Sequence, residues 1–421
     1  MFPHNSAFST PPQGFRPNFN NNQNMLTVQQ YHQMVGFLAP TPTKSIVNET
    51  VNACNKDASL AGNHMSRLSM VEFILMACDA IGSKQLQEQL ATNAEVKLTA
   101  CKMLQDQEVF LALAKDAFGN FVIQRMISET PIDSILHSVE QNSLQLSFDR
   151  YACRVVQKYI NFASVGQVQR LLNEKFAGYE AQIVQNINAS HVIQAVLDKH
   201  VPNVYAPFIK ACVASLPVKA ALEDKFGCRV FQSCLERIVR HCSNPGIPRS
   251  DKTSAYELLH ILIVPILRDA KNLAENEYAN YVVQYILRCE FLVLQRSYII
   301  RNSILHNILW LSQGKFASHV VEQAFVYADP YSLTAMFNEV LDGYMQDMHG
   351  RDALNIMLFD QFANYVVQRM LEIAIEVHEG KRAGDRSWLP KIVEHVKRSA
   401  NNLQRFSSGK KILTTLAKYN I

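Results

Sequence analysis

From about Ser66 to the C-terminus, apolar residues recur at the three- and four-residue spacing of one helix face, almost without a break. Runs that alternate apolar and polar residues between Asn-Gly or Asp-Gly turns, the mark of strands and hairpins, are scarce. The pattern predicts an all-α protein. Before residue 60 the periodicity fades into PPQGFRPNFNNNQN and a thin mixture of Pro, Asn, Gln and Thr. Such a segment buries too little to offset its ordering entropy. Residues 1–60 are therefore expected to be largely disordered, and residues 61–421 to form the folded region.

Across the folded region a single helix opening returns eight times. The copies read IGSKQLQ from Ile81, FGNFVIQ from Phe118, YACRVVQ from Tyr151, NASHVIQ from Asn188, FGCRVFQ from Phe226, YANYVVQ from Tyr278, FASHVVE from Phe316 and FANYVVQ from Phe362. The polar residue after Gly or Ala falls at 83, 120, 153, 190, 228, 280, 318 and 364, in steps of 37, 33, 37, 38, 52, 38 and 46. A unit of about 36 residues holds two or three helices and stacks on its neighbours to share a continuous core, which is a solenoid. The 52-residue step contains HCSNPGIPRSDK, from His241 to Lys252, and the 46-residue step contains LDGYMQDMHGRDAL. Both are expected as loops inserted on one edge.

In Asn280-Tyr281-Val282-Val283-Gln284 the first and fifth residues lie one turn apart and share a face. The second residue flanks that face, and the Val pair turns toward the core. Each repeat thus aims two polar side chains and one flat or cationic one the same way, and stacking lines these triplets along one concave surface. Asp116, Asp149, Asp224 and Asp360 stand where they could cap the repeated helix. The Gly or Ala ahead of each triplet is expected to keep the surface open to close approach.

Composition changes this picture little. Hydrophobic residues at 48% give the chain plenty to bury, and a net charge of +4 permits a nucleic-acid partner without announcing one. The nine cysteines lack the CxxC or Cys/His spacing of a zinc site and are expected as small buried thiols, with no metal or cofactor. The apolar stretch Leu258 to Leu267 is short and interrupted by His260 and Pro265, so no membrane span is expected. MFPHNSAFST has no secretory character, which points to the cytoplasm. No GxSxG, HExxH, P-loop or Rossmann glycine pattern occurs, and no enzyme is expected.

The flat positions, in chain order, are Lys84, Phe121, Arg154, His191, Arg229, Tyr281, His319 and Tyr365. Rings and guanidinium planes are the groups on which unstacked bases sit, and paired polar side chains suit Watson–Crick edges, which only a single strand offers freely. From Ser66 onward the triplets and their lead-ins resemble the repeats of the Pumilio (PUF) family. FSSGKKILTTL from Phe406 is similar to the degenerate repeat that closes the family's solenoid. The resemblance implies a right-handed curved α-solenoid of eight repeats, with degenerate caps before Asp79 and at about 388–421.

It also implies a base-reading code. Asn with Gln resembles a uracil reader, at Asn120/Gln124, Asn280/Gln284 and Asn364/Gln368. Ser or Cys with Gln resembles an adenine reader, at Ser83/Gln87, Cys153/Gln157, Ser190/Gln194 and Cys228/Gln232. Ser318/Glu322 alone resembles a guanine reader, because a carboxylate accepts from guanine's ring N–H and amino group. In this family the RNA runs antiparallel to the chain, giving 5′-UGUAAAUA-3′, or nine nucleotides where one base is flipped out. Lys84 stands in place of the usual Arg and weakens the 3′-most contact. His319 stands where the family often has Asn. Arg125, Lys158 and Arg369 follow reading glutamines and are candidates to reach phosphates.

The implied role is a monomeric, cytoplasmic binder of messenger RNA 3′ untranslated regions that represses translation. It would recruit deadenylase or other repressor proteins through the convex face and the loop around Tyr344. The alternatives are a nuclear Pumilio-like ribosome-assembly factor and a protein-binding solenoid of the armadillo or HEAT type.

Overall fold

The computed structural model describes residues 67–129 and 133–419. The segment 1–60, with Cys54, lies outside them. Among the described residues there are 23 α-helices and no strand. Each repeat contributes a short first helix, a second helix carrying the triplet, and a third helix. The first repeat comprises α1 (Met70–Ala77), α2 (Ala80–Thr92) and α3 (Ala94–Met103); repeat two opens with α4 (Gln107–Ala114) and α5 (Gly119–Glu129). Then α6 (Asp133–Phe148) runs from the third helix of repeat two into the first of repeat three, which continues with α7 (Ala152–Phe162) and α8 (Val165–Arg170). Repeat four holds α9 (Glu180–Val184), α10 (Ala189–Lys199) and α11 (Pro202–Ser215), and repeat five α12 (Val218–Leu222) and α13 (Gly227–Ser243). The long α14 (Thr253–Glu275) bridges into repeat six, followed by α15 (Asn280–Arg288) and α16 (Val293–Ile299). Repeat seven holds α17 (Ile308–Ser312), α18 (Ala317–Tyr327) and α19 (Pro330–Asp342), and repeat eight α20 (Ala353–Phe359) and α21 (Ala363–His378). The chain ends in α22 (Trp388–Leu403) and α23 (Ser407–Lys418), both packed on α21.

The triplet helices α2, α5, α7, α10, α13, α15, α18 and α21 pack side by side as one inner layer. The apolar pairs inside each triplet, such as Val155/Val156, Val282/Val283 and Val366/Val367, are buried. The core they enter runs unbroken from Leu68 to Leu416. Cations of later repeats tie the layers by filling helix ends that lack intrahelical donors. Lys199 Nζ donates to the carbonyls of Ile160 (2.7 Å) and Asn161 (2.5 Å) at the end of α7. Arg382 does the same for Phe325 (2.9 Å) and Val326 (2.8 Å) at the end of α18. At the C-terminal end Trp388 stacks on Phe337, ring centroids 4.0 Å apart, and seats α22.

Two expectations change. The first inserted loop begins later than His241, because α13 continues to Ser243. Its remainder is closed by its own lysine, Lys252 Nζ donating to Asn244 O at 2.6 Å. The small residue ahead of each triplet does not open the surface. It is buried, and it lets the triplet helix press against the helix before it. A Cβ on Gly82 would stand 2.6 Å from Met76 O, and one on Gly119 would stand 2.8 Å from Leu113 O. The other repeats carry Gly227 and the fully buried Ala152, Ala189, Ala279, Ala317 and Ala363 at this place.

Gly119→Ala should therefore destabilise the protein by about 1–3 kcal/mol through overpacking against backbone that cannot yield. Gly166→Ala, in α8 with nothing within 4 Å of its would-be Cβ, should stabilise by about 0.5–1 kcal/mol. Thermal unfolding of both variants decides the point, and equal shifts would refute the packing role.

Candidate nucleic-acid interface

Seven of the eight triplet helices start at a fixed offset from a side-chain cap. Four residues before the triplet, Asp79, Asp116, Asp149, Asn186, Asp224, Asn276 and Asp360 each accept two backbone N–H bonds, at 2.7–3.0 Å. The four aspartates singled out in the sequence do cap. Asp79, Asn186 and Asn276 were missed, although the same four-residue offset marks them. Repeat seven has Gly314 there instead.

The triplet divides into floor and rim. The first residue is sunk: Ser83, Asn120, Cys153, Ser190, Cys228, Asn280, Ser318 and Asn364 are all buried. The fifth residue is half-buried in seven repeats and buried at Gln368. The second residue stands exposed in all eight, with Phe121, Tyr281 and Tyr365 about half accessible (50%, 48% and 50%). A row of flat or cationic groups thus rises above a row of polar ones.

The floor is wired differently in different repeats. In repeats two, six and eight the Asn side-chain amide donates to two carbonyls of the turn before it. Asn120 Nδ2 lies 2.8 Å from Asp116 O and 3.0 Å from Ala117 O; Asn280 and Asn364 repeat the pattern. Those bonds fix the amide's orientation, so Oδ1 faces the reading glutamine. It accepts from Gln124 (2.8 Å), Gln284 (2.8 Å) and Gln368 (3.0 Å). Each glutamine is left with Oε1 and one N–H to offer outward.

The remaining repeats lack that lock. The Cys153 and Cys228 thiols lie 3.5 Å and 3.3 Å from the Arg150 and Lys225 carbonyls, and burial pushes both thiols up, so they stay protonated donors. Ser83 donates to Phe118 O of the next repeat (3.0 Å) and accepts from Gln87. Gln194 bonds its own helix at Ser190 O, and Gln232 Nε2 donates to Glu236 at 2.9 Å. Ser190 Oγ and Gln157 Nε2 are buried with no protein partner.

On the rim, Arg229 lies over the Tyr281 ring, 5.6 Å from its centroid. Burial, and then the Arg154 charge, hold the His191 imidazole below the usual range, which favours a neutral ring. Lys84 is exposed.

Three further candidates are engaged within the protein. Arg125 pairs with Glu129 at 3.0 Å, Arg369 with Glu372 at 2.5 Å, and Lys158 lies over Phe162. Tyr344 is half-buried and turned inward, its hydroxyl donating to Glu339 and accepting from Leu309 N (3.2 Å). Met345 and Met348 are among the side chains that the loop displays outward, with Gln346, His349 and Arg351. Among the described residues no cluster of His, Cys, Asp or Glu could hold a metal, and no helix is long and apolar enough to cross a membrane.

The Pumilio-family RNA binding repeat matches residues 110–133, 142–174, 223–240, 271–291, 307–341 and 359–378. The chain is 31% identical over 363 residues to Pumilio domain-containing protein 6 of Caenorhabditis elegans, covering 82% of this chain and 74% of that protein. It is 32% identical to Pumilio domain-containing protein 5 of the same organism, over 85% of this chain and 66% of the relative. It is 33% identical to Fem-3 mRNA-binding factor 2, also from C. elegans, over 73% and 52%. The chain thus spans from about half to about two thirds of the length of these last two. Among solved structures it is similar to PUF-6 in complex with 5BE13 RNA, with a TM-score of 0.72 and 29% identity over 83% of this chain and 97% of that one.

Floor and rim should separate in stability measurements. Asn280→Ala strips two carbonyls of their donor and should cost about 1–2 kcal/mol. Tyr281→Ala, on the exposed rim, should stay within about 0.5 kcal/mol. Comparable losses in chemical denaturation would contradict the division.

Proposed function

This chain belongs to the Pumilio family of RNA-binding repeat proteins, and on that premise we propose that it reads single-stranded RNA base by base, preferring 5′-UGUAAAUA-3′. The observation that carries this reading is the wired floor. In the three Asn repeats the helix backbone orients Asn, and Asn orients Gln, before any ligand arrives. The outward Oε1 and N–H suit the ring N–H and a carbonyl of uracil. In repeat seven the half-buried Glu322 offers only acceptors when ionised, which suits guanine's two donors. In repeat three Gln157 keeps a buried, unpartnered N–H group for a base acceptor such as adenine N1. The rim supplies the faces on which bases stack, worth roughly 1–3 kcal/mol each.

We further propose that the protein acts on messenger RNA 3′ untranslated regions in the cytoplasm, as a monomer on RNA and as a repressor. Deadenylase or other repressor proteins would be recruited away from the RNA face. The inward-facing Tyr344 gives the loop around it a structural role beside any docking role.

Fluorescence polarisation of the full chain with UGUAAAUA and ACUAAAUA at one fixed salt concentration tests the reading. Loss of tight binding to the second RNA is expected, together with rescue of UAUAAAUA binding by Glu322→Gln. Equal, weak and strongly salt-dependent binding to both would favour a looser RNA binder or a protein scaffold.

A further inference from the structure

We propose that His319 is a positioning residue for guanine readout: beyond lending a ring to the rim, its imidazole orients the Glu322 carboxylate and keeps it ionised. The inference rests on the reading of repeat seven as the guanine reader. His319 Nδ1 lies 3.4 Å from Glu322 Oε1, one helical step of three residues away. Among the described residues no Lys or Arg comes within ion-pair distance of that carboxylate. The floor gives it no help. Ser318 occupies the place held by Asn in repeats two, six and eight, and its hydroxyl is directed back to Lys315 O, at 3.5 Å.

Repeat three shows the same device with different chemistry. Arg154 Nη1 donates to Gln157 Oε1 at 3.1 Å, across the same three-residue step, and leaves Gln157 Nε2 as the free end. Phe121, Tyr281 and Tyr365 have no such donor, and in their repeats the buried Asn orients the glutamine from below. The reading group is therefore held from beneath by Asn in repeats two, six and eight and from above by a rim N–H in repeats three and seven, while Gln87, Gln194 and Gln232 bond Ser83, Ser190 O and Glu236 instead.

The consequence for guanine is chemical. An ionised carboxylate accepts both the ring N–H and the amino group of guanine. A protonated one carries its own donor, behaves like the Gln of an adenine reader, and suits adenine N1 instead. Burial pushes the Glu322 carboxyl up, toward the protonated form, and His319 is the foremost of the groups opposing this, ahead of Arg369. Arg369 is itself paired with Glu372, which pushes Glu322 the other way. On the other helices packed against α18, Lys271 is bonded to Asn307, Glu275 to Trp310, and Arg301 lies over Tyr331. Neighbouring α15 carries Tyr281, Tyr285 and Arg288. Guanine preference is thus present above the Glu322 pKa and lost as pH falls through it. Removing His319 raises that pKa, so the loss begins at a higher pH.

The test is fluorescence polarisation of the full chain with UGUAAAUA and UAUAAAUA, from about pH 5.5 to about pH 8, for wild type, His319→Phe and His319→Arg. Phe keeps a flat ring without a donor; Arg keeps both a plane and a donor. His319→Phe should bind UAUAAAUA at least as well as wild type, while its guanine-over-adenine preference falls about tenfold near neutral pH, the effect of one charge-assisted hydrogen bond. Its preference should also fade at a higher pH than in wild type, and His319→Arg should restore both. Equal weakening toward the two RNAs with an unchanged preference and pH profile would overturn the inference and leave His319 a stacking residue. Failure of His319→Arg to hold the preference would overturn it as well. A wild type with no guanine preference at any pH would instead remove the reading of repeat seven on which the inference stands.

Discussion

The architecture depends on how closely the triplet helix approaches the helix before it. At the start of α2 and α5 there is no room for a Cβ beside the preceding carbonyl. That contact, flanked by a cap four residues before the triplet, sets where the helix begins and how it is rotated. Rotation is what matters for function. A turn of one residue, about 100°, would carry the polar floor into the core and a valine to the rim. Backbone sterics at one small residue, rather than anything at the surface, hold the surface in register.

Register also explains why the first triplet residue is so well buried. The floor belongs to the packed layer, and in the three Asn repeats its amide donors are satisfied by the helix itself. The Asn amide that orients a glutamine is the same group that closes the preceding turn. The proposed readout and the fold therefore draw on the same hydrogen bonds, and an interface made this way needs little ordering when a ligand binds.

Much of this was legible in the sequence. Helical class, the eight openings and their irregular steps all follow from a period near 3.6 interrupted at recognisable signals, and the described residues bear them out. The cap positions were half-seen. Four aspartates stood out by charge, while Asn186 and Asn276 do the same work through an uncharged oxygen and were hidden by residue type. The role of Gly and Ala was misread because their neighbour comes from the previous helix, and sequence shows no such approach. The merging of helices in α6 and α14 was invisible for a related reason: one apolar stripe runs on through both segments, and only geometry decides whether a turn intervenes. The inward turn of Tyr344 depends on Glu339 and on a backbone N–H 35 residues away, at Leu309. The contact between His319 and Glu322 was within reach of sequence, since the spacing was known. Attention to the ring's face passed over its nitrogen.

The Arg229–Tyr281 contact has a consequence in time rather than in space. With a separation of 5.6 Å, guanidinium and ring are too close to admit a base, which needs roughly 7 Å for two stacking distances of about 3.4 Å. Any planar group entering between them must first separate a cation–π contact worth about 0.5–1 kcal/mol at an exposed site. On the proposed reading, a strand laid along the rim would have to open this contact near the solenoid's middle before a base could enter there.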